Sequence, residues 1–168
     1  MNIKKTLLAA TAALIIAPAV SFAADSAINV SVKAIVPDAR GMSITTEGGW
    51  DAAQQVLRWD ADADGGDGAF EAFYGNINVK SPAAIDAYLL ETPTMRDGDK
   101  FIGLSVKLGG TALNVGAASK VNIATEAQAE IGKVVAAEIN AVKPATGFEH
   151  GTYQGNVTMM FESAISSR

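Results

Sequence analysis

The 168-residue sequence contains no cysteine and only one histidine, His150. Without cysteine the chain has no disulfide, no thiol nucleophile and no thiolate metal ligand, and one histidine excludes the motifs that need two. Neither a Gly-x-Ser-x-Gly elbow nor another nucleophile motif accompanies His150, so we interpret it as a loop residue. We therefore expect no catalytic residues, no cofactor and no enzymatic activity.

Basic residues are also scarce. Thirteen lysines and arginines face eighteen aspartates and glutamates, which gives a formal net charge of −5. Because the basic residues form no patch, we do not expect nucleic acid as a partner. The length suits a single domain, and the sequence shows neither an internal repeat nor a linker that would divide it.

The only long hydrophobic run lies at the N-terminus. Two lysines precede apolar residues 7–20, which contain Pro18, and the small residues Ser21 and Ala23 follow. A membrane-spanning helix needs about 20 uninterrupted apolar residues, so this run is too short. The pattern is typical of a secretory signal peptide. We predict that residues 1–23 are removed after Ala23 and that the protein is exported.

The rest of the chain alternates apolar and polar residues with a period of two, which favours half-buried β-strands. Gly109 and Gly110 can supply the positive φ angles of a two-residue hairpin before residues 111–115. Many short strands separated by Gly, Pro, Asp and Asn indicate an all-β, two-sheet sandwich. The alternating segments are Ile28 to Ala34, Asn76 to Lys80, Ile102 to Leu108, and Tyr153 to Glu162.

Two windows, residues 50–59 and 125–140, do not fit this pattern. Both are rich in Ala, Gln and Glu, which favour helix. Within the second window, Val134, Val135 and Ile139 are equally compatible with a strand that ends before Pro144. The all-β context favours a strand over residues 133–142.

An acidic segment matches the calcium-loop pattern D-x-[DN]-x-[DN]-G-x₅-E. Its eighth position is Asp67 where an apolar residue is usual, and residues 70–80 read as strand where a helix should follow. We therefore favour a solvated acidic loop that joins two strands, and calcium binding remains an alternative. The residues that fit the pattern are Asp60, Asp62, Asp64, Gly65 and Glu71.

One strand has no predicted neighbour. It carries apolar residues at alternate positions, and no hairpin turn ties it to another strand before Pro37. An apolar strand of this kind promotes aggregation unless it is paired within its own domain or donated to another. The apolar positions are Ile28, Val30, Val32 and Ala34.

Three segments together resemble the α-fimbrial major pilins, the subunits of colonisation factors and cable pili. These are residues 24–32 as the mature N-terminus, 102–110 as the central hairpin, and 151–160 as the C-terminal strand. The lack of cysteine and the bacterial-looking signal peptide add to the resemblance, which covers nearly the whole mature chain.

The resemblance implies an immunoglobulin-like sandwich that lacks its final strand. Residues 24–36 would be the N-terminal donor strand, and residues 37–168 the incomplete pilin domain that receives the strand of the next copy. Identical subunits would then form a filament, with Ile28, Val30, Val32 and Ala34 in the groove of the neighbour. A periplasmic chaperone, an outer-membrane usher and a minor tip adhesin would be the further partners of a surface fimbrium.

Two other functions remain open from the residues alone. The acidic loop would suit a secreted calcium-binding module. A small ligand-binding sandwich would instead pair residues 25–36 within its own domain.

Overall fold

The computed structural model describes residues 28–35 and 41–163, and for residues 28–35 it describes the backbone and its pairing. The predicted signal peptide, residues 1–23, lies outside the described residues. The described chain forms thirteen strands and one α-helix. They are β1 (Ile28–Ile35), β2 (Ser43–Thr46), β3 (Gln55–Leu57), β4 (Trp59–Asp60), β5 (Ala69–Phe70), β6 (Phe73–Lys80), β7 (Ile85–Leu89), β8 (Thr94–Asp97), β9 (Lys100–Leu108), β10 (Thr111–Ala112), β11 (Val121–Ala124), α1 (Glu126–Ile131), β12 (Lys133–Val142) and β13 (Gln154–Ser163).

The strands form two layers that share one hydrophobic core. Hydrogen-bonded strands follow the order β11-β7-β13-β8-β9-β12-β6-β2, and β8 links the layers because it pairs with both β13 and β9. On the other edge of β13 lies β1, which in turn pairs with β3. The short strands β4 and β5 form a separate hairpin. The predicted all-β sandwich is confirmed.

Alternation of side chains accounts for the core. In β9 the apolar residues Ile102 to Leu108 are buried at every second position, and β6 buries Ile77 and Val79 between exposed asparagine and lysine side chains. The last strand buries Val157, Met159 and Phe161. These predicted strand faces are confirmed. They meet in one cluster, as expected for two sheets that pack face to face.

The structure resolves the two ambiguous windows. The first contains a 3-10 helix over Glu47–Ala52 and then the two short strands β3 and β4. In the second, α1 begins at a capping box formed by Thr125 and Gln128 and ends at Gly132, whose φ is +89°. The strand predicted for residues 133–142 is confirmed as β12. None of the helices in the described part of the chain is long and apolar enough to cross a bilayer.

Two details of the predicted strands differ. The hairpin at Gly109 and Gly110 forms with φ angles of +58° and +82°, but its second strand ends at Ala112 because the chain then turns to pair with Leu89. The alternation predicted over Tyr153 to Glu162 places Thr158 on the outward face, but Thr158 is buried. Other segments of the chain lie along both edges of β13 at this point. On one edge β1 pairs with it, and on the other the Leu90 N–H donates to the Thr158 carbonyl at 3.0 Å.

Candidate functional site

The candidate functional site is the position of β1 between β13 and β3. The strand runs parallel to β13, with Asn29 opposite Gln154 and Ile35 opposite Met160. Along its first residues it also pairs antiparallel with β3, where Ile28 lies opposite Leu57. We call the space between β13 and β3 that β1 occupies the β1 groove. In the single chain, β1 fills its own groove.

The predicted donor residues all lie in this register. Val30, Val32 and Ala34 are opposite Gly155, Val157 and Met159 of β13, and Ile28 is opposite Leu57 of β3. Buried side chains of Leu57, Val157 and Met159 form this part of the core. The described residues therefore bring the four positions together along one groove. The role of their side chains in polymerisation remains a prediction.

The β1 groove runs between two ends of the domain. We call the end that carries the start of β2 the β2 end. There Ser43 lies opposite Lys80, and the Oγ atoms of Ser81 and Ser163 are 2.6 Å apart. The Ser81 N–H also donates to the Ala129 carbonyl at 3.0 Å, which places the end of α1 beside these residues. Residue Ile35 and the start of β2 therefore lie at the same end, separated in sequence by residues 36–42.

The opposite end, which we call the hairpin end, carries the β4–β5 hairpin and the residues just before β13. Here three aromatic rings meet edge to face: Trp59 lies 4.9 Å from Phe70 and 5.5 Å from Phe148, and Phe70 lies 5.0 Å from Phe148, between centroids. With Glu149, His150, Gly151 and Tyr153 they line a pocket of about 150 Å³. This aromatic pocket was not predicted, because its rings lie far apart in the sequence.

Polar groups fix the rim of the aromatic pocket. The Tyr153 hydroxyl donates to the Glu149 carbonyl at 2.9 Å, and Lys100 Nζ donates to the His150 carbonyl at 2.7 Å. Burial raises the pKa of the Tyr153 phenol, and the charges of Glu149 and Asp97 raise it further. The residues that line the pocket with His150 include no serine, threonine or lysine. The site offers an apolar cavity with a polar rim.

The calcium-loop residues lie at the tip of the same hairpin. Strands β4 and β5 pair Asp60 with Ala69, so the segment between them is an acidic loop joining two strands. Asp60 accepts the Asp62 N–H at 3.0 Å, and the Glu71 N–H donates to the Arg58 carbonyl at 2.8 Å.

A lysine, Lys143, occupies part of this loop. Its Nζ donates to Asp64 and, at 3.1 Å, to Asp67, and these two hydrogen bonds raise the pKa of the lysine. No three acidic or histidine side chains converge as a metal site anywhere in the described ranges. The structure therefore brings Asp64 to a lysine and does not gather Asp60, Asp62, Asp64 and Glu71 around one point. Calcium binding remains an untested alternative.

One comparison with known proteins identifies the family of this chain, and another supports its fold. Residues 26–162 match the family model of the CS1 type fimbrial major subunit. The fold is similar to that of the CooA pilin subunit from enterotoxigenic Escherichia coli, with a TM-score of 0.53, 17% sequence identity, and coverage of 76% of this chain and 90% of that one. No curated protein matches the sequence. Because the family model spans most of the sequence, including β1 and all but the last residue of β13, the chain belongs to the CS1 type fimbrial major subunits.

Proposed function

We propose that this structural pilin polymerises head to tail by donating residues 28–35 to the β1 groove of the next copy. Its family makes it a major subunit of a cell-surface fimbrium, whose partners are further copies of the same chain. The observation that carries the proposal is the position of β1, whose main chain pairs with the edge of β13 from Asn29 to Ile35. This is β-strand addition, the mode by which pilins are complemented.

The connection of β1 to its domain favours exchange. Only residues 36–42 join it to β2, and its sheet neighbours β13 and β3 lie elsewhere in the chain. The same groove between β13 and β3 can therefore receive the β1 of another copy. Period-two alternation would let Ile28, Val30 and Val32 fill apolar pockets, each contributing about 1.5–3 kcal/mol. Insertion of a donated strand would therefore recover the stabilisation that the single chain gains from its own β1.

The two ends of the domain determine the direction of a donated strand. In a linear filament all copies point the same way, so the β2 end of one copy meets the hairpin end of the next. A strand that enters at the hairpin end places Ile35 near Gln154, which makes it antiparallel to β13. Parallel insertion would instead bring two β2 ends together, a contact that cannot repeat head to tail. Antiparallel pairing is also slightly more stable per residue.

Export and assembly complete the proposal. Residues 1–23 are a signal peptide cleaved after Ala23, residues 24–36 are the donor segment, and residues 37–168 are the receiving domain. The subunit passes through the periplasm, where a chaperone protects the β1 groove, and an outer-membrane usher adds it to a fimbrium that ends in a minor tip adhesin. The protein has no enzymatic role.

A second candidate is a self-paired, small ligand-binding sandwich. The specific observation in its favour is that β1 pairs with β13 of the same chain. Such a protein would remain a monomer at all concentrations and would form no filament.

Substitutions on the two faces of β1 separate these candidates. Val30→Asp would place a carboxylate on the face expected to enter the groove, whereas Asn29→Asp places the same charge on the opposite face. We expect electron microscopy of expressing cells to show no filaments with Val30→Asp and nearly normal filaments with Asn29→Asp. Normal filaments from Val30→Asp, or equal loss of filaments from both variants, would favour the self-paired monomer instead.

A further inference from the structure

Two exposed apolar side chains, Ile131 and Val134, lie close together at the β2 end. Ile131, the last residue of α1, is 84% exposed, and Val134 beside it is 58% exposed. Gly132 between them ends the helix with a φ of +89°, which holds Ile131 at the tip. Adjacent exposed apolar side chains are more typical of a contact surface than a single one is.

The aromatic pocket at the hairpin end has an apolar wall that suits an aliphatic side chain. Trp59, Phe70 and Phe148 form its apolar wall, and Trp59 is 38% exposed. Its volume of about 150 Å³ is comparable to that of an apolar cavity able to hold a benzene-sized group. One aliphatic side chain would fill it and cover the exposed part of Trp59.

The length of the connection brings the two surfaces together. Eight Cα steps separate Ile35, seated in one copy, from Ser43 of the copy that donates it, a reach of at most about 28 Å. Ser43 lies opposite Lys80, and the adjacent Val79 lies opposite Lys133, two residues from Ile131. The β2 end that carries Ile131 therefore lies within reach of the hairpin end of the neighbour, because Ser43 can be no more than about 28 Å from the seated Ile35.

We infer that Ile131 of each subunit seats in the aromatic pocket of the next copy, forming a second contact beside the donated strand. The occupant is a second copy of this chain, because the covalent link to the donated strand delivers this end of α1 to that end of the neighbour. The inference rests on the head-to-tail function proposed above. It assigns a role to Ile131, Trp59 and Phe148 that donor-strand pairing does not use.

The cysteine-free chain allows a direct test by cross-linking. Ile131→Cys combined with His150→Cys, an exposed residue on the rim of the pocket, places one thiol on each proposed surface. Treatment of purified filaments with a short bismaleimide should give a ladder of dimers, trimers and larger species. Ile131→Cys with Leu90→Cys is the matched control, because Leu90 is exposed and its N–H bonds to Thr158, midway along β13.

We expect at least tenfold more ladder from the first pair than from the control pair. Equal ladders, or none from either, would overturn the inference. A second measurement, quenching of tryptophan fluorescence by acrylamide, needs no substitution. We expect Trp59 to be quenched at least fivefold less in filaments than in the monomer. Trp50 is buried and should contribute little to the change. Unchanged quenching would overturn the inference and leave the pocket open to an outside ligand. Filaments that require Val30 but give no cross-link refute only this contact, whereas filaments that tolerate Val30→Asp refute the proposed function.

Discussion

The strands β1 and β9 have the same sequence pattern but different connections. Both alternate apolar and polar residues over four apolar positions. Short turns connect β9 to β8 before it and to β10 after it, and it pairs antiparallel with β8, β10 and β12. In contrast, β1 pairs in parallel with β13, which lies more than a hundred residues later in the chain.

The difference separates what the alternation of apolar residues determines from what the connections between strands determine. Alternation establishes that a strand needs an apolar layer on one side, which is equally true of β1 and β9. Connection establishes which molecule supplies that layer. Closing a short hairpin costs little entropy, so β9 pairs within its own chain in any state. Neither strand that β1 pairs with is its neighbour in the sequence, so the groove of another copy can serve it equally well.

The same substitution in the two strands should give the largest contrast. Val106→Asp puts a carboxylate at a site that is 2% exposed, and an unpaired buried charge costs about 3–5 kcal/mol. We expect this variant not to fold, even when a synthetic peptide of residues 24–36 is supplied. Val30→Asp should fold with that peptide, because its defect lies in what it donates.

Circular dichroism with and without the peptide measures both variants. Asn29→Asp serves as the control for added charge in the donor strand. Rescue of Val106→Asp by the peptide, or failure to rescue Val30→Asp, would remove the distinction between the two strands.

A smaller effect is expected at the turn that ties β9 to β10. Gly110 has a φ of +82°, and alanine in this left-handed region costs about 1–2 kcal/mol. Gly110→Ala should lower Tm by about 2–4 °C for each kcal/mol. Gly103→Ala, within β9, is the matched control, since an added Cβ meets only Val142 Cβ at 3.9 Å. Calorimetry showing equal Tm values would mean that the turn does not hold β9.

The smallest effect is expected at the acidic loop between β4 and β5. Asp60→Asn with Asp62→Asn should leave Tm unchanged in calcium or in chelator, because a solvated loop gains nothing from the ion. Lys143→Met is a useful companion, since it removes the cation that contacts Asp64 and Asp67. A rise of several degrees in calcium that the double variant abolishes would restore the calcium-binding alternative.

Some of this structure was readable from the sequence and some was not. Strands β6, β9 and β12 were predictable because their buried residues alternate with more exposed ones, and β13 was predictable from Val157, Met159 and Phe161 on its core face. Helix α1 has only six residues, too few for a helical period, although Thr125 and Gln128 at its capping box were a readable start signal.

The site was only partly predictable, for a physical reason. The need of β1 for a partner follows from its own residues, but its register with β13 depends on contacts between distant segments. The aromatic pocket likewise joins Trp59, Phe70 and Phe148 through the fold alone. The groove was predicted only from the family resemblance, because sequence periodicity does not show which strands are neighbours.

The central claim, that β1 is donated, is tested most directly by a cysteine pair at Val32 and Val157. These residues are opposite each other in the single chain, and both are the midpoints of their paired segments, so they stay adjacent if the strand direction reverses. Oxidised filaments of Val32→Cys with Val157→Cys should run as a ladder of linked subunits on a non-reducing denaturing gel. Filaments that yield only internally linked monomers would contradict donation.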